Sequence, residues 1–182
     1  MKADDVLKNI QEEAKYTFLP IIGPQKGQIL VDVVRKHKPK NILEVGTLVG
    51  YSAILMSQYL PKSSRITTIE INPEIAQIAQ KNFRRVGVER LVNLKVGNAI
   101  DVIPTLKKTF NLLFLDAAKE EYFDYLKLAE PKLTKKAVVI ADNVGMFAEA
   151  MADYLDYVRN SPKFKSKTVD FGFDAVEVSQ RV

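Results

Sequence analysis

Two acidic positions follow apolar runs at matching places. Asp116 comes directly after Phe114–Leu115, and Asp142 comes directly after Ile140–Ala141 with Asn143 beside it. If the two runs are adjacent strands of an open α/β sheet, their carboxyl ends converge on one ligand crevice. Two carboxylates and an amide carbonyl make a hard-oxygen partial shell, which suits magnesium with water or substrate completing six-coordination. Lys119 stands three residues after Asp116, at a helix start, and is expected to face the same crevice. A lysine beside a metal and a second cation gives up its proton more readily, so Lys119 is a candidate base. The competing reading makes Asp116, Asp142 and Asn143 helix caps and Lys119 a surface residue of the run Lys119–Glu120–Glu121.

A second set of residues lies at the ends of earlier runs. The first ends in Glu44, Val45, Gly46, Thr47, Leu48, Val49 and Gly50, followed by Tyr51 and Ser52. Its glycines allow a tight turn where a ligand approaches the backbone ahead of a helix. Glu70 closes the second run, where an acid reads ribose hydroxyls. Asn98 follows the third run and can pair with an adenine edge, or cap a helix. A dinucleotide would need the tighter G-x-G-x-x-G turn, but Leu48 stands where its second glycine belongs, and Glu44 would repel a pyrophosphate. Glu44 better suits the cationic methionine end of S-adenosylmethionine, partly through intervening groups.

These parts make a methyl transfer to oxygen chemically coherent. A metal at Asp116, Asp142 and Asn143 lowers the acceptor hydroxyl's pKa. Lys119 takes or shares its proton, and catalysis rests mostly on near-attack geometry.

Such a site needs a scaffold that brings strand ends together. Asn41–Val45, Arg65–Ile69, Val92–Val96, Leu112–Leu115, Val138–Ile140 and Ala175–Val178 read as buried strands. All but the last two are separated by helical spacing, including a helix opened by Pro73. The alternation predicts an α/β fold with a mostly parallel sheet and helices on both faces. After a helix at Phe147–Arg159, the runs Phe164–Val169 and Phe173–Val178 flank Asp170–Phe171–Gly172 and predict a C-terminal antiparallel hairpin. Two amphipathic stretches, Asp5–Phe18 and Gln25–His37, precede the first strand. The expected organisation is one domain over 1–182, with N-terminal helices in 1–38 and the Rossmann-like core in 39–182.

Composition agrees with a soluble enzyme. The 182 residues suit one core, and no apolar run approaches the roughly 20 residues of a membrane span. Without cysteine there are neither disulfides nor thiolate metal sites. The N-terminus lacks the apolar core of a signal peptide, and a cytoplasmic location is the expectation. A net charge of +5 mildly favours an acidic partner such as nucleic acid; a solvated, lysine-rich surface is the preferred account of it.

With these residues in place, the chain resembles the metal-dependent O-methyltransferases, the family of catechol and caffeoyl-CoA O-methyltransferases. The resemblance runs from about Gly23 onward, on "ILEVGTLVGYSAI", "TIEINPE", "VGNAIDVIP", "LLFLDAAKEEYFDYL" and "VVIADNV". It implies S-adenosylmethionine contacts at Ile22, Glu44, Gly46, Thr47, Tyr51, Ser52, Glu70, Ile71, Asn98, Ala99 and Asp116. It implies divalent-cation ligation, by magnesium first, at Asp116, Asp142 and Asn143, base chemistry at Lys119, and a Rossmann-like α/β fold whose seven-stranded, mostly parallel sheet ends in a C-terminal antiparallel hairpin. Ala118 departs from the aromatic that walls the acceptor in the catechol enzyme, and the short hairpin holds no match for that enzyme's catechol-binding glutamate. The expected acceptor is a small catechol-like phenol, with a hydroxylated uridine in transfer RNA as the alternative. A homodimer fits the family, and no membrane partner is expected. A nicotinamide dehydrogenase and an inactive cofactor-binding module are the competing classes.

Overall fold

A computed structural model describes residues 2–182. Two helices come first, α1 (Ala3–Glu13) and α2 (Gly23–His37). They are followed by β1 (Asn41–Val45), α3 (Tyr51–Ser57), β2 (Arg65–Glu70), α4 (Pro73–Val86), β3 (Val92–Val96), α5 (Ala99–Thr105) and β4 (Phe110–Leu115). The rest is α6 (Tyr122–Ala129), β5 (Leu133–Ala141), α7 (Ala152–Asn160), β6 (Phe164–Asp170) and β7 (Ala175–Arg181).

The seven strands form one sheet in the order β3-β2-β1-β4-β5-β7-β6. β1 to β5 are parallel, and β7 pairs antiparallel with both β5 and β6. This is the expected Rossmann-like sheet with its reversed hairpin. The chain runs outward from β1 to β3, then returns to place β4 on β1's other side. The carboxyl ends of β1 and β4 are therefore the switch point, where α/β sheets bind ligands.

Alternation along the strands divides the core in two. Leu43, Val45, Leu113, Leu115, Val139 and Ala141 face α5, α6 and α7. Ile42, Ile66, Leu112, Phe114, Val138 and Ile140 face α1 to α4. Because both faces are covered, the central strands are continuously apolar. Local chemistry sets the helix ends. In α4, Pro73 occupies the first turn, the Asn72 side chain accepts from the Glu74 and Ile75 amides, and Gly87 closes the helix in the left-handed region.

Several boundaries differ from expectation. α7 begins at Ala152 rather than Phe147, and residues 144–151 form turns. The Val144 amide donates to Ala175 O (3.0 Å) and the Met146 amide to Asp174 Oδ1 (3.0 Å). These bonds tie the segment to the hairpin and override its helical propensity. α1 stops at Glu13, before the expected Phe18, and leaves Tyr16 and Phe18 84% and 95% exposed. β5 begins at Leu133, ahead of the expected Val138, through an irregular stretch in which Lys136 is left-handed (φ 65°). β7 begins at Ala175 because the Phe171 amide bonds to Asp174 O and keeps Phe173 in the turn. Among the described residues, no helix is long and apolar enough to cross a membrane.

Candidate active site

The carboxyl ends of the strands open into a cleft of about 590 Å³, within the usual range for small-molecule sites. Ile22, Gly46, Thr47, Tyr51, Ser52, Glu70, Ile71, Asn98, Ala99, Asp116, Lys119, Asp142 and Asn143 all line it. Glu44 does not. It is fully buried behind the wall, where the Ser52 hydroxyl donates to its Oε1 (2.5 Å) and its Oε2 has no partner. Burial pushes its pKa up to about 7; the Ser52 and Thr68 hydroxyls beside it oppose that rise, and the charges of Asp116 and Glu70 add to it. Any reach of Glu44 into the cleft runs through Ser52.

The loop after β1 is held by backbone geometry. Gly46 has φ 98°, and a Cβ there would sit 2.0 Å from the Asp116 carbonyl oxygen. Gly50 has φ 87°, with the Phe83 ring 2.5 Å from where a Cβ would stand. Only glycine fits either place. Leu48 is also left-handed (φ 48°), and its amide donates to Glu70 Oε2 at 2.8 Å. The Asn72 amide donates to Glu70 Oε1 at 3.0 Å. Glu70 thus spends both oxygens on backbone amides while still lining the cleft. Asn98 likewise does two jobs: its side chain caps α5 by accepting from the Ile100 amide, and it lines the cleft.

Asp116 and Asp142 stand side by side because their amides continue the ladder, Asp116 to Val45 O (2.9 Å) and Asp142 to Leu115 O (3.0 Å). Lys119, in a short 3-10 turn, places Nζ 2.9 Å from Asp116 Oδ1 and 2.9 Å from the Tyr122 hydroxyl. That hydroxyl donates to Leu115 O at 3.0 Å. Asp142 is buried, and burial followed by the nearby Asp116 charge pushes its pKa up to about 6 against the opposing pull of Lys26. Lys26 Nζ lies 2.7 Å from Asp142 Oδ1 and 2.7 Å from Asp174 Oδ2. Both contacts are buried ion pairs. Asn143 is left-handed (φ 64°), and its Nδ2 donates to Asp174 Oδ2 at 2.7 Å. With the nitrogen engaged, the carbonyl oxygen is the free end of that amide.

The donor set at this end of the cleft is therefore two carboxylates and one amide oxygen. Among the described residues no three Asp, Glu, His or Cys side chains converge as a metal cage. The set fits a hard cation that keeps several waters or substrate oxygens. It does not fit a dedicated all-protein site.

Several residues in or behind the cleft wall were not read from the sequence. Lys26 belongs to the buried stripe of α2 at i, i+4, i+8 with Leu30 and Val34, and that spacing was the available signal. Asp174 carried no local pattern. Phe18, Met146 and Phe147 are exposed and line the cleft mouth, so apolar walls exist although Ala118 supplies none. Tyr125 and Glu121 are hydrogen-bonded to each other and line it as well.

The sequence model of the O-methyltransferase family matches residues 2–162. Catechol O-methyltransferase B of Danio rerio is 41% identical over 152 residues, covering 80% of this chain and 57% of the relative. Catechol O-methyltransferase of Niastella koreensis is 39% identical over 147 residues, covering 78% of this chain and 66% of that protein. The chain thus spans less than two thirds of the length of these relatives. The O-methyltransferase TomG of Streptomyces achromogenes, involved in tomaymycin synthesis and solved in complex with S-adenosylmethionine, superposes with a TM-score of 0.87. It is 25% identical, and the superposition covers 97% of this chain and 89% of that one. Fold, cleft position and sequence agree: the chain belongs to the O-methyltransferase family.

Proposed function

We propose that the protein is an S-adenosylmethionine-dependent O-methyltransferase that acts on a vicinal phenolic hydroxyl with the help of a divalent cation, magnesium first. The observation that carries this reading is the convergence of Asp116, Asp142, Asn143 and Lys119 at one end of a cleft. The remainder of its wall is the Gly46–Gly50 loop, Glu70 and Asn98. Names of relatives point the same way, to catechols as acceptors and to S-adenosylmethionine as methyl source.

Within the cleft each residue has a distinct task. Glu70 holds the loop through Leu48 and Asn72 and presents its carboxylate toward ribose hydroxyls. Asn98 and Ala99 border the adenine end, and Gly46 lets the backbone come close to the methionine end. Asp116, Asp142 and the Asn143 carbonyl are the oxygens that would hold the cation. When bound, the cation lowers the pKa of an acceptor hydroxyl and fixes its position, and S-adenosylmethionine supplies the methyl group. Lys119 receives the hydroxyl proton at Nζ; Asp116 and the Tyr122 hydroxyl keep that atom in place. Phe18, Met146 and Phe147 at the mouth offer apolar surface to a flat ring. No feature of the cleft singles out a nucleotide acceptor.

The test is transfer of labelled methyl from S-adenosylmethionine, with magnesium, to catechol, to a matched monophenol and to total transfer RNA. Label in catechol alone is expected, because a monophenol offers only one oxygen to the Asp116–Asp142–Asn143 end. Label in transfer RNA and none in catechol would replace the acceptor assignment.

A further inference from the structure

The exposed basic side chains are distributed unevenly. About half of them gather at the end of the sheet opposite the cleft, where the parallel strands begin. Lys38 and Lys40 precede β1, and Lys62 and Arg65 lead into β2. Arg90 precedes β3, and Lys107 and Lys108 precede β4. Lys135 and Lys136 protrude where the β4–β5 register jumps from Phe110↔Leu133 to Leu112↔Val138. Lys163 and Lys165 open β6. All of these are exposed, and the strand order joins them into one row across the sheet. Among the described residues of these strand-entry segments, Glu89 is the one exposed acid.

Two features set this row apart from an ordinary lysine-rich surface. Stabilising ion-pair networks place carboxylates beside lysines, yet in this row only Lys163 has a carboxylate within 4.0 Å, that of Glu130 at 2.6 Å. The buried acids lie mostly at the other end, with Glu44, Glu70, Asp142 and Asp174 in or behind the cleft wall, beside the half-buried Asp116. In addition, a file of unpaired like charges destabilises the compact state by self-repulsion, a cost that a bound polyanion relieves.

We propose that this strand-entry face binds the phosphate backbone of a nucleic acid, at a place distinct from the methyl-transfer cleft. Strands about 4.8 Å apart make a seven-strand row roughly 30 Å long. That matches about nine nucleotides of one duplex strand at about 3.4 Å each. Neighbouring strands turn by roughly 20–25°, so the row winds. A winding file of cations can follow a phosphate chain, whereas a flat lipid surface touches only part of it. Apart from Val182, none of the large exposed apolar side chains lies on this face, which removes the usual means of entering a bilayer. The face stands about one strand length, roughly 17–20 Å, from Asp116 and Asp142, so an occupant there leaves the cleft open.

The experiment is fluorescence anisotropy with the full chain and labelled 20-base-pair RNA and DNA duplexes across a salt series. Binding with a Kd of about 1–100 μM is expected near 0.15 M salt, with a slope of log K against log salt of about −4 to −6. The variant carrying Lys38→Glu, Lys40→Glu, Lys107→Glu and Lys108→Glu is expected to bind at least about 30-fold more weakly, with a slope shallower by about 3–4. Its methyl transfer should match the wild type, and its melting temperature should be equal or higher, because the row's self-repulsion is relieved. The same four positions changed to Gln give a milder variant, whose loss should fall between the two. The proposal is overturned if neither duplex binds at 0.15 M salt, or if both variants keep wild-type affinity and slope. It is equally overturned if phosphatidylserine vesicles bind at that salt and nucleic acid does not.

Discussion

Lys26 Nζ lies 2.7 Å from Asp174 Oδ2, joining residues 148 positions apart in the chain. The pair ties the first turns of α2 to the turn before β7, directly behind Asp142 and Asn143. Asp174 also accepts from the Asn143 side chain and the Met146 amide. Burial alone would raise its pKa, but these donors, Lys26 first, bring it down to about 2. Such outer partners orient ligating groups, and their loss commonly weakens metal binding 10- to 100-fold.

Replacing Lys26 by Met leaves two buried carboxylates without their shared cation. Chemical denaturation should show a loss of about 3–5 kcal/mol, as when one partner of a buried ion pair is removed. Calorimetry should show magnesium affinity about 10- to 100-fold weaker. Lys26→Arg should restore part of both. Unchanged magnesium affinity in a folded Lys26→Met protein would confine the residue to stability.

Glu44 makes stability depend on pH. Its folded pKa of about 7 lies above that of an exposed glutamate near 4.3. The folded chain therefore keeps this proton in a range where the unfolded chain has released it. Stability attributable to Glu44 is unaffected below about pH 4 and falls as pH rises through 7, by about 4 kcal/mol in all. Denaturation at pH 5, 6, 7 and 8 should show that decline in the wild type, and Glu44→Gln should flatten it. Parallel curves for the two proteins would assign the pH dependence to other groups.

Gly46 and Gly87 both have positive φ, but only Gly46 is crowded. A methyl group at Gly87 meets no atom within 4 Å, whereas at Gly46 it meets the Asp116 carbonyl. Gly87→Ala should cost about 1–2 kcal/mol from the left-handed backbone alone. Gly46→Ala should cost more and also weaken cofactor binding, because Asp116 and the loop must move apart. Calorimetry with S-adenosylhomocysteine on both variants checks this. Equal affinities would show that the loop yields without disturbing the cleft.

Lys119 separates proton transfer from charge. Lys119→Ala should lower kcat about 100- to 10,000-fold, as for general acid–base groups, with little change in cofactor affinity. Lys119→Arg retains the charge but does not release its proton at ordinary pH, so it should be nearly as slow. An arginine variant that keeps most of the activity would make Lys119 an electrostatic anchor for Asp116.

The legible part of this molecule is the part governed by period and punctuation. Continuous apolar runs such as Leu112–Leu115 announce strands covered on both faces, and Pro73 and Gly87 mark the ends of α4. Acids at successive strand ends reveal the cleft because an open sheet brings those ends together. What was hidden depends on contacts between distant segments. Asp174 acquires its role only when the hairpin folds over Lys26. The turns at 147–151 read as helix because the pull of Ala175 and Asp174 on the amides of Val144 and Met146, just before them, leaves no trace in local sequence. Phe18 read as the end of a helix because nothing nearby shows that it projects over the cleft.

The most direct test of metal-assisted transfer is catechol methylation by the wild type in excess chelator, then with magnesium restored, alongside Asp142→Ala under both conditions. Binding of S-adenosylhomocysteine is followed in the same samples. If Asp116, Asp142 and Asn143 hold the cation, the wild type loses turnover with chelator and regains it with magnesium. Asp142→Ala stays inactive in both, and cofactor affinity in the wild type is the same with and without chelator. Full wild-type turnover in excess chelator would contradict the account and leave those three residues as ends of strands.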